Sequence, residues 1–548
     1  MAQAELKQGL ATTITVADYL KQQHIIPRSP IVAAKVNNLL KPLTAEIDPE
    51  QDKIEFVDLT SDEGLRIYRR SLYFLLTIAA KQLFPECQIS IEHSLGAGVY
   101  CEFRPACPLD LEDAALALEK RMRELVAADL PFTTWKGSKK DAYQILLQQG
   151  HTDKARILRN RVRGEVELAR FGEIYDYFTG FLVPSTGYLT VFGLRPYLEG
   201  FVLQLPDKQN PFQVVPFYEQ KKLALVYDES KDWIRNLDLH NVEDINKIIG
   251  SGQFADLVLV AEARHEKKIS EIAEAISACC EQAQLVLVAG PSSSGKTTFT
   301  QRLRIQLLAS GIKPLAISLD DYFVNREDTP KDENGNYDFE SIDALDLPLF
   351  NQHLVQPLAG EEVEIPRFNF VTGRREWTGN KLQLKPRQVL IIEGIHGLNE
   401  RLTAQVPFSQ KIKIYVSALT HVNIDKTNQI HSSDIRLLRR ICRDAQFRGN
   451  SAASTIAMWP AVRRGEERNI FPFQEEADFV FNSGLVYELA VLKNLAEPLL
   501  QQITPDQAEY SEAVRLLELL RYFLAAPTDV VPNNSVLREF IGGCCFYH

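Results

Sequence analysis

The sequence predicts an α/β protein whose carboxyl-terminal half is a parallel sheet covered by helices. Three observations carry this. From Gln284 onward the chain runs strand, Gly-rich loop, helix, strand, helix, the rhythm of a parallel sheet with crossover helices. The strand runs there (LVLVA, PLAIS, QVLIIE) are short and continuously apolar, as strands buried on both faces read. The 548 residues are 45% hydrophobic and 24% charged, an ordinary globular composition. At roughly 150 residues per domain that length suggests three or four domains.

Charge and punctuation narrow the classes. The net charge of −11, from 61 Lys+Arg against 72 Asp+Glu, argues against a surface that coats nucleic acid but allows a local basic site. No apolar run approaches the roughly 20 residues of a membrane span, and MAQAELKQGLATTITV has no basic segment followed by an apolar core. A cytoplasmic protein without membrane contact is expected. The eight cysteines include no Cys-x-x-Cys pair and no zinc-finger spacing, so reduced thiols are expected, with Cys544 and Cys545 of unassigned role.

Along the chain, TTITV, a helix-like IVAAKV and KIEFVDL make a small mixed α/β unit over 1–60. Residues 61–205 open with a helix over 65–84, its apolar stripe at Leu65, Leu72, Leu75, Leu76 and Ala79. QISIEHSLGAGVYCEF (88–103) reads as two strands around a Gly-rich turn, with His93 at the surface beside it. A charged amphipathic helix follows over 110–127, then strand again over 187–205. PDKQNPFQVVP (206–216) opens a mostly helical connector, 206–270. The α/β domain is expected over 271–505, and a helical tail, with SEAVRLLELLRYFLA, over 506–548.

QLVLVAGPSSSGKTTFTQRLRIQLLASG (284–311) is the strongest signal. Gly290-Pro-Ser292-Ser293-Ser294-Gly295-Lys296-Thr297-Thr298 fits the phosphate-loop pattern G-x-x-x-x-G-K-[ST], between a buried strand and a helix striped by Phe299, Leu303, Leu307 and Leu308. Gly311 is a plausible helix cap. Glycines let backbone N–H groups turn inward around phosphate oxygens at the positive end of a helix. Lys296 then reaches the terminal phosphates, and the Thr297 hydroxyl suits Mg²⁺. ATP and Mg²⁺ are the expected cofactors.

Two further strands end in acids. PLAISLDDYF (314–323) brings Asp320 to the carboxyl edge of the sheet, where ligands bind, and a carboxylate there accepts a proton from an attacking hydroxyl. A solvated Asp pair opening a loop is the plainer alternative. RQVLIIEGIHG (387–397) ends at Glu393, suited to Mg²⁺, with His396 read as structural. Between 434 and 468 there are eight Arg against four Asp+Glu. Arg436, Arg440 and Arg443 share helical spacing, with Arg439 and Arg448 nearby, suiting a lid over transferring phosphate. A solvated basic face or an RNA-contact patch are the alternatives.

These segments, with YDFESIDALD (337–346) and IPRFNFVTGRR (365–375), stand in the order of the uridine kinase and phosphoribulokinase family, which residues 270–500 resemble. The resemblance implies a P-loop NTPase kinase domain with Lys296 in catalysis, Asp320 as catalytic base and Glu393 as the magnesium-site acid. It further implies Asp343 as the acid holding acceptor hydroxyls, Phe368 and Phe370 beside the acceptor base, and Arg440, Arg443 and Arg448 as lid arginines. Where uridine kinases have a base-contacting histidine this chain has Gly373, and Asn450 replaces a later arginine. That puts uridine itself in doubt.

In the amino-terminal half, IVAAKVNNLLKPL (31–43) resembles the β-grasp module, called TGS, of threonyl-tRNA synthetases. Segments 61–85, 120–132 and 183–194 resemble their α+β editing domain. That domain's two metal-binding pairs fall here on Arg70 and Phe74, and on Phe178 and Leu182, so a binding or regulatory module without editing activity is expected. The expected partner is a small nucleoside-like acceptor. A non-nucleoside alcohol such as a sugar phosphate is the rival acceptor. A nucleotide-switched, RNA- or ribosome-associated regulator is the rival function; the unusual amino-terminal fusion favours it, and the absence of a concentrated basic-aromatic surface in that half counts against RNA contact.

Overall fold

The computed structural model of the chain describes residues 13–23, 29–106, 109–158, 164–331, 335, 337–369, 372–420 and 422–546. In the carboxyl-terminal half, strands β1 (Leu285–Ala289), β2 (Lys313–Ser318), β3 (Gln388–Glu393), β4 (Lys411–Ser417) and β5 (Phe479–Asn482) form one sheet in the order β2-β3-β1-β4-β5. All four pairings are parallel. The central strands are buried on both faces, which is why their sequences run apolar without alternation. In register, Val288 and Ser318 lie on either side of Glu393. The loops after β1, β2 and β3 therefore leave the sheet side by side at its carboxyl edge.

Helix α1 (Lys296–Ala309) follows β1 and buries Phe299, Leu303 and Leu307. Leu308, placed in that stripe by the sequence reading, is exposed instead. Gly311, at φ 74°, ends the helix in the left-handed conformation that favours glycine. The helix Phe254–Cys279 packs on α1 through Ile269, Ile272 and Ile276, so the boundary expected at 270/271 falls inside a continuous helix. Its apolar face, buried against Phe299 and Leu303, ties the connector to the sheet domain.

This half also contains α2 (Ser432–Phe447), α3 (Ala452–Asn469) and α4 (Tyr510–Leu520), besides the helices Leu347–Leu358 and Glu488–Leu500. The segment 506–548 is not a separate appendage. Leu516, Val536, Leu537 and Phe540 share one apolar cluster with Leu437, Leu438 and Ile441 of α2.

In the amino-terminal half, IVAAKV is a strand rather than a helix. Ile31–Val36 is the centre of a three-stranded antiparallel sheet, flanked by Leu39–Pro42 and Ile54–Asp58. Six residues are too few for periodicity to separate a buried strand from a helix, and here five of the six are buried. The long helix Asp62–Leu83 lies between this sheet and a four-stranded antiparallel sheet in the order Gly193–Tyr197, Gly200–Gln204, Gly98–Arg104, Gln88–Leu95. His93 is not a surface residue: its ring stacks on Tyr227 of the connector, centroids 3.7 Å apart.

The segment after β4 joins the halves. Asn423 Nδ2 donates to the carbonyls of Ile91 and Glu92 at 3.1 and 2.8 Å, and the Ile91 N–H donates to Lys426 O at 2.7 Å. No helix among the described residues is long and apolar enough to cross a membrane.

Candidate active site

The phosphate loop takes the shape its sequence requires. Ser293 and Gly295 have φ of 58° and 81°, the left-handed turns that wind such a loop around a phosphate. A Cβ on Gly290 would stand 2.0 Å from the carbonyl oxygen of Val416, so only glycine lets the loop pass β4. Ser294 is fully buried beneath the loop, and Lys296 begins α1, placing the loop at a helix N-terminus. Lys296 Nζ donates to Pro291 O at 3.1 Å. Burial lowers the Lys296 pKa, opposed by the carboxylates of Glu393, Glu539 and Glu466.

The Thr297 hydroxyl donates to Glu393 Oε1 at 2.7 Å, joining the first turn of α1 to the end of β3. Burial pushes the Glu393 carboxyl up, against Lys296 and the Thr297 hydrogen bond. Among the described residues no three His, Cys, Asp or Glu converge as a metal cage. Mg²⁺ needs no such cage, since nucleotide phosphates and water complete its octahedron around one or two protein oxygens. The hard oxygens of Thr297 and Glu393 fit that ion.

Asp320 and Asp321 have different surroundings. Asp321 accepts the Phe368 N–H at 3.1 Å and so anchors the hairpin Val363–Asn369/Arg374–Leu382. The Asp320 carboxylate is open to the crevice and has no hydrogen-bond or ion-pair partner among the described residues. Desolvation by the crevice walls and the Asp321 charge push its pKa up, against the attraction of Lys296.

Helix α2 aims its arginines at the loop. Arg440 Nη1 donates to Ser292 Oγ at 2.7 Å, and Arg440, Arg443 and Arg448 fan around the buried Asp444 at 3.2, 3.2 and 3.6 Å. Arg436 and Arg439 brace the loop from below, donating to the carbonyls of Ser292 and Ser293 at 3.1 and 3.4 Å. Both are buried and paired, Arg436 with Glu466 and Arg439 with Glu488.

Two acids at the loop escaped the sequence reading. Glu466 of α3 accepts the Ser292 N–H at 2.9 Å, and Glu539 of the tail accepts the Thr298 hydroxyl at 2.9 Å. Neither lies in a loop or strand end that pattern reading would single out.

On the acceptor side, Asp343 lies in an exposed turn and accepts from Arg401 Nη2 at 2.5 Å. Phe368 is buried and meets Phe323 edge-on, centroids 5.7 Å apart. Phe370 lies outside the described residues. Gly373 adopts φ 68°, and a Cβ there would stand 2.9 Å from the Cβ of Arg326, so this turn has no room for a larger side chain as it is folded. His396 is buried, and burial pulls its pKa down to about 4.

In the amino-terminal half, two of the four positions expected in place of a metal site meet directly. Phe74 and Phe178 meet edge-on with centroids 5.5 Å apart, and Arg70 Nη1 donates to Phe181 O at 2.8 Å.

Comparison with known proteins agrees with this division. Residues 285–490 match the sequence model of the Phosphoribulokinase / Uridine kinase family. The amino-terminal part is similar to threonine–tRNA ligases. The similarity is 36% identity over 168 residues with that of Acidithiobacillus ferrooxidans, covering 30% of this chain and 25% of the ligase. It is 31% over 184 residues with that of Nitratidesulfovibrio vulgaris, covering 33% and 28%. The chain thus spans about a quarter of the length of the curated relatives it matches. Similar solved structures include a protein described as a possible uridine kinase from Bacillus stearothermophilus (20% identity, TM-score 0.28, 40% of this chain and 100% of that one). Another is the D-glycerate 3-kinase of Cryptococcus neoformans (16% identity, TM-score 0.20, 51% and 89%).

Proposed function

We propose that the carboxyl-terminal half, a phosphoribulokinase/uridine kinase family domain, transfers the γ-phosphoryl group of ATP to a hydroxyl of a small, nucleoside-like acceptor. The observation that carries this is the meeting of three strand ends: the phosphate loop, the Thr297–Glu393 pair and the unpartnered Asp320 share one crevice. The acceptor oxygen attacks the γ-phosphorus, the bond to the β-phosphate bridging oxygen breaks, ADP leaves and Asp320 takes the hydroxyl proton. Lys296 and the loop amides hold the phosphates, while Arg440 and Arg443 offset the charge that develops on them. Mg²⁺, held by Thr297 and Glu393 with the ATP phosphates, would neutralise part of that charge.

Asp343 is the residue we assign to the acceptor's hydroxyls, and the family resemblance implies Phe368 and Phe370 beside the acceptor's base. The tight Gly373 turn gives no side chain there to read a pyrimidine base, which weighs against uridine and keeps a sugar phosphate as the second acceptor class. ATP consumption across a panel of nucleosides and sugar phosphates tests both. Asp320→Ala should remove acceptor-dependent turnover by roughly 10²–10⁴-fold while ATP still binds. Full turnover in that variant would sink the assignment. If no acceptor raises turnover and RNA binds tightly, the domain is a nucleotide switch instead.

A further inference from the structure

A large cavity lies far in sequence from the phosphate loop, between the two halves of the chain. It encloses about 1260 Å³ between the helix Asp62–Leu83, the Phe178–Leu182 loop, the start of α2 and α4. That is at or above the upper end of small-molecule sites, which run to roughly 1,000 Å³.

Its lining carries five Lys/Arg and six Asp/Glu, so it is not basic overall, but the pairing of these charges is uneven. On the wall from the carboxyl-terminal half, Asp434, Glu512 and Glu518 are all engaged, Asp434 by Arg515 at 2.8 Å, Glu512 by Arg66 at 2.9 Å and Glu518 by Arg521. Arg69 and Arg70 on the opposite wall have no carboxylate partner among the described residues. Arg69 Nη2 donates to the neutral Nε2 of His431 at 2.6 Å, and Arg70 makes one hydrogen bond, to Phe181 O. Burial, and then the charges of Arg69, Arg66 and Arg515, pull the Arg70 pKa down to about 9, so it stays a desolvated cation at neutral pH. Beside them, the Gln429 side-chain NH₂ has no hydrogen-bond partner, while its oxygen accepts from Tyr73 at 2.9 Å.

Two guanidinium groups and an amide thus present N–H donors to one space. A ligand that satisfies them brings several acceptor oxygens and negative charge. A phosphate monoester, with three terminal oxygens and a charge near −2, matches this better than a single carboxylate. We propose that the cavity binds a small phosphate monoester of nucleotide size through Arg69 and Arg70, at a site separate from the phosphate loop. The site adjoins the first turn of α2, the helix whose Arg436 and Arg440 touch that loop.

The test is calorimetric titration of the full chain with inorganic phosphate and with a nucleoside monophosphate, in a Lys296→Ala background that weakens the loop. The Lys296→Ala protein should still bind one equivalent. Adding Arg69→Gln and Arg70→Gln should weaken that binding at least tenfold. Absence of binding to Lys296→Ala, or equal affinity after the arginine substitutions, overturns the proposal. Should the arginine variants not fold, tungstate soaked into crystals of the unaltered chain decides: density between Arg69 and Arg70 supports the site, and an empty cavity refutes it.

Discussion

The Glu539 carboxylate accepts the Thr298 hydroxyl at 2.9 Å and lies 3.4 Å from the Thr298 amide, in the first turn of α1. A residue nine positions from the end of the chain therefore supplies an anion to the helix N-terminus that phosphate should occupy. Glu539→Gln removes a like charge from beside the triphosphate. ATP should then bind tighter by about 1 kcal/mol, roughly fivefold in Kd, in a calorimetric titration. Unchanged or weaker binding would make Glu539 a support for the nucleotide rather than a competitor.

The paired aspartates give a pH test. Asp320 acts as a base only when ionised, so the rate falls as pH drops through its folded pKa. Desolvation and Asp321 hold that pKa above the ordinary value of 3.8, so the acid limb of kcat/KM should lie higher than for a free aspartate. Asp321→Asn removes the like charge and keeps an oxygen for the Phe368 N–H. The limb should then move to lower pH, with little change in the plateau. A limb that stays in place would mean that Asp320 is not the titrating base.

How much of this was legible in the sequence varies with how local the cause is. The loop, the strand ends at Asp320 and Glu393, and α2 follow from short patterns, because a phosphate loop is specified by its own residues and flanks. Glu539 was not legible, since what brings it to Thr298 is the burial of Val536, Leu537 and Phe540 against α2, a packing relation spanning about a hundred residues. The Ile31–Val36 strand was misread for a related reason. A sheet centre is defined by its neighbours, and six residues, five of them apolar, carry no period of their own. The pairing of Arg70 with Phe181 O joins segments of the amino-terminal half about 110 residues apart, and the cavity beside it exists only once the two halves have docked.

Gly295 tests where the tail sits. At φ 81°, a Cβ would be strained by the backbone alone and would also stand 2.3 Å from Cγ1 of Val536. Gly295→Ala should lower stability by about 1–3 kcal/mol and weaken ATP binding. Val536→Ala removes the colliding methyl and should recover the steric part, leaving the conformational part. Thermal or denaturant unfolding of the two single variants and the double variant measures the coupling. Strict additivity would mean that the tail does not lie against the loop.

The Arg515–Asp434 pair should set how the protein responds to acid. Arg515 holds both oxygens of Asp434 at 2.8 Å, joining α4 to the first turn of α2. Burial alone would raise the Asp434 pKa, but Arg515 overrides it and keeps the carboxyl well below the usual range. With the folded pKa depressed, the pair's stabilisation is present above the unfolded value of about 3.9 and is lost as pH falls towards the folded one. Arg515→Met reverses the sign. It leaves a buried carboxylate without its cation and should cost about 3–5 kcal/mol at neutral pH, measured by urea unfolding. Burial then raises the Asp434 pKa, so part of that loss should be regained on mild acidification, where the unaltered protein gains nothing from this group. Adding Asp434→Asn to Arg515→Met should restore much of the stability at neutral pH and flatten that dependence. If the double variant is as unstable as Arg515→Met alone, the cost came from lost packing of the arginine stem and not from the stranded charge.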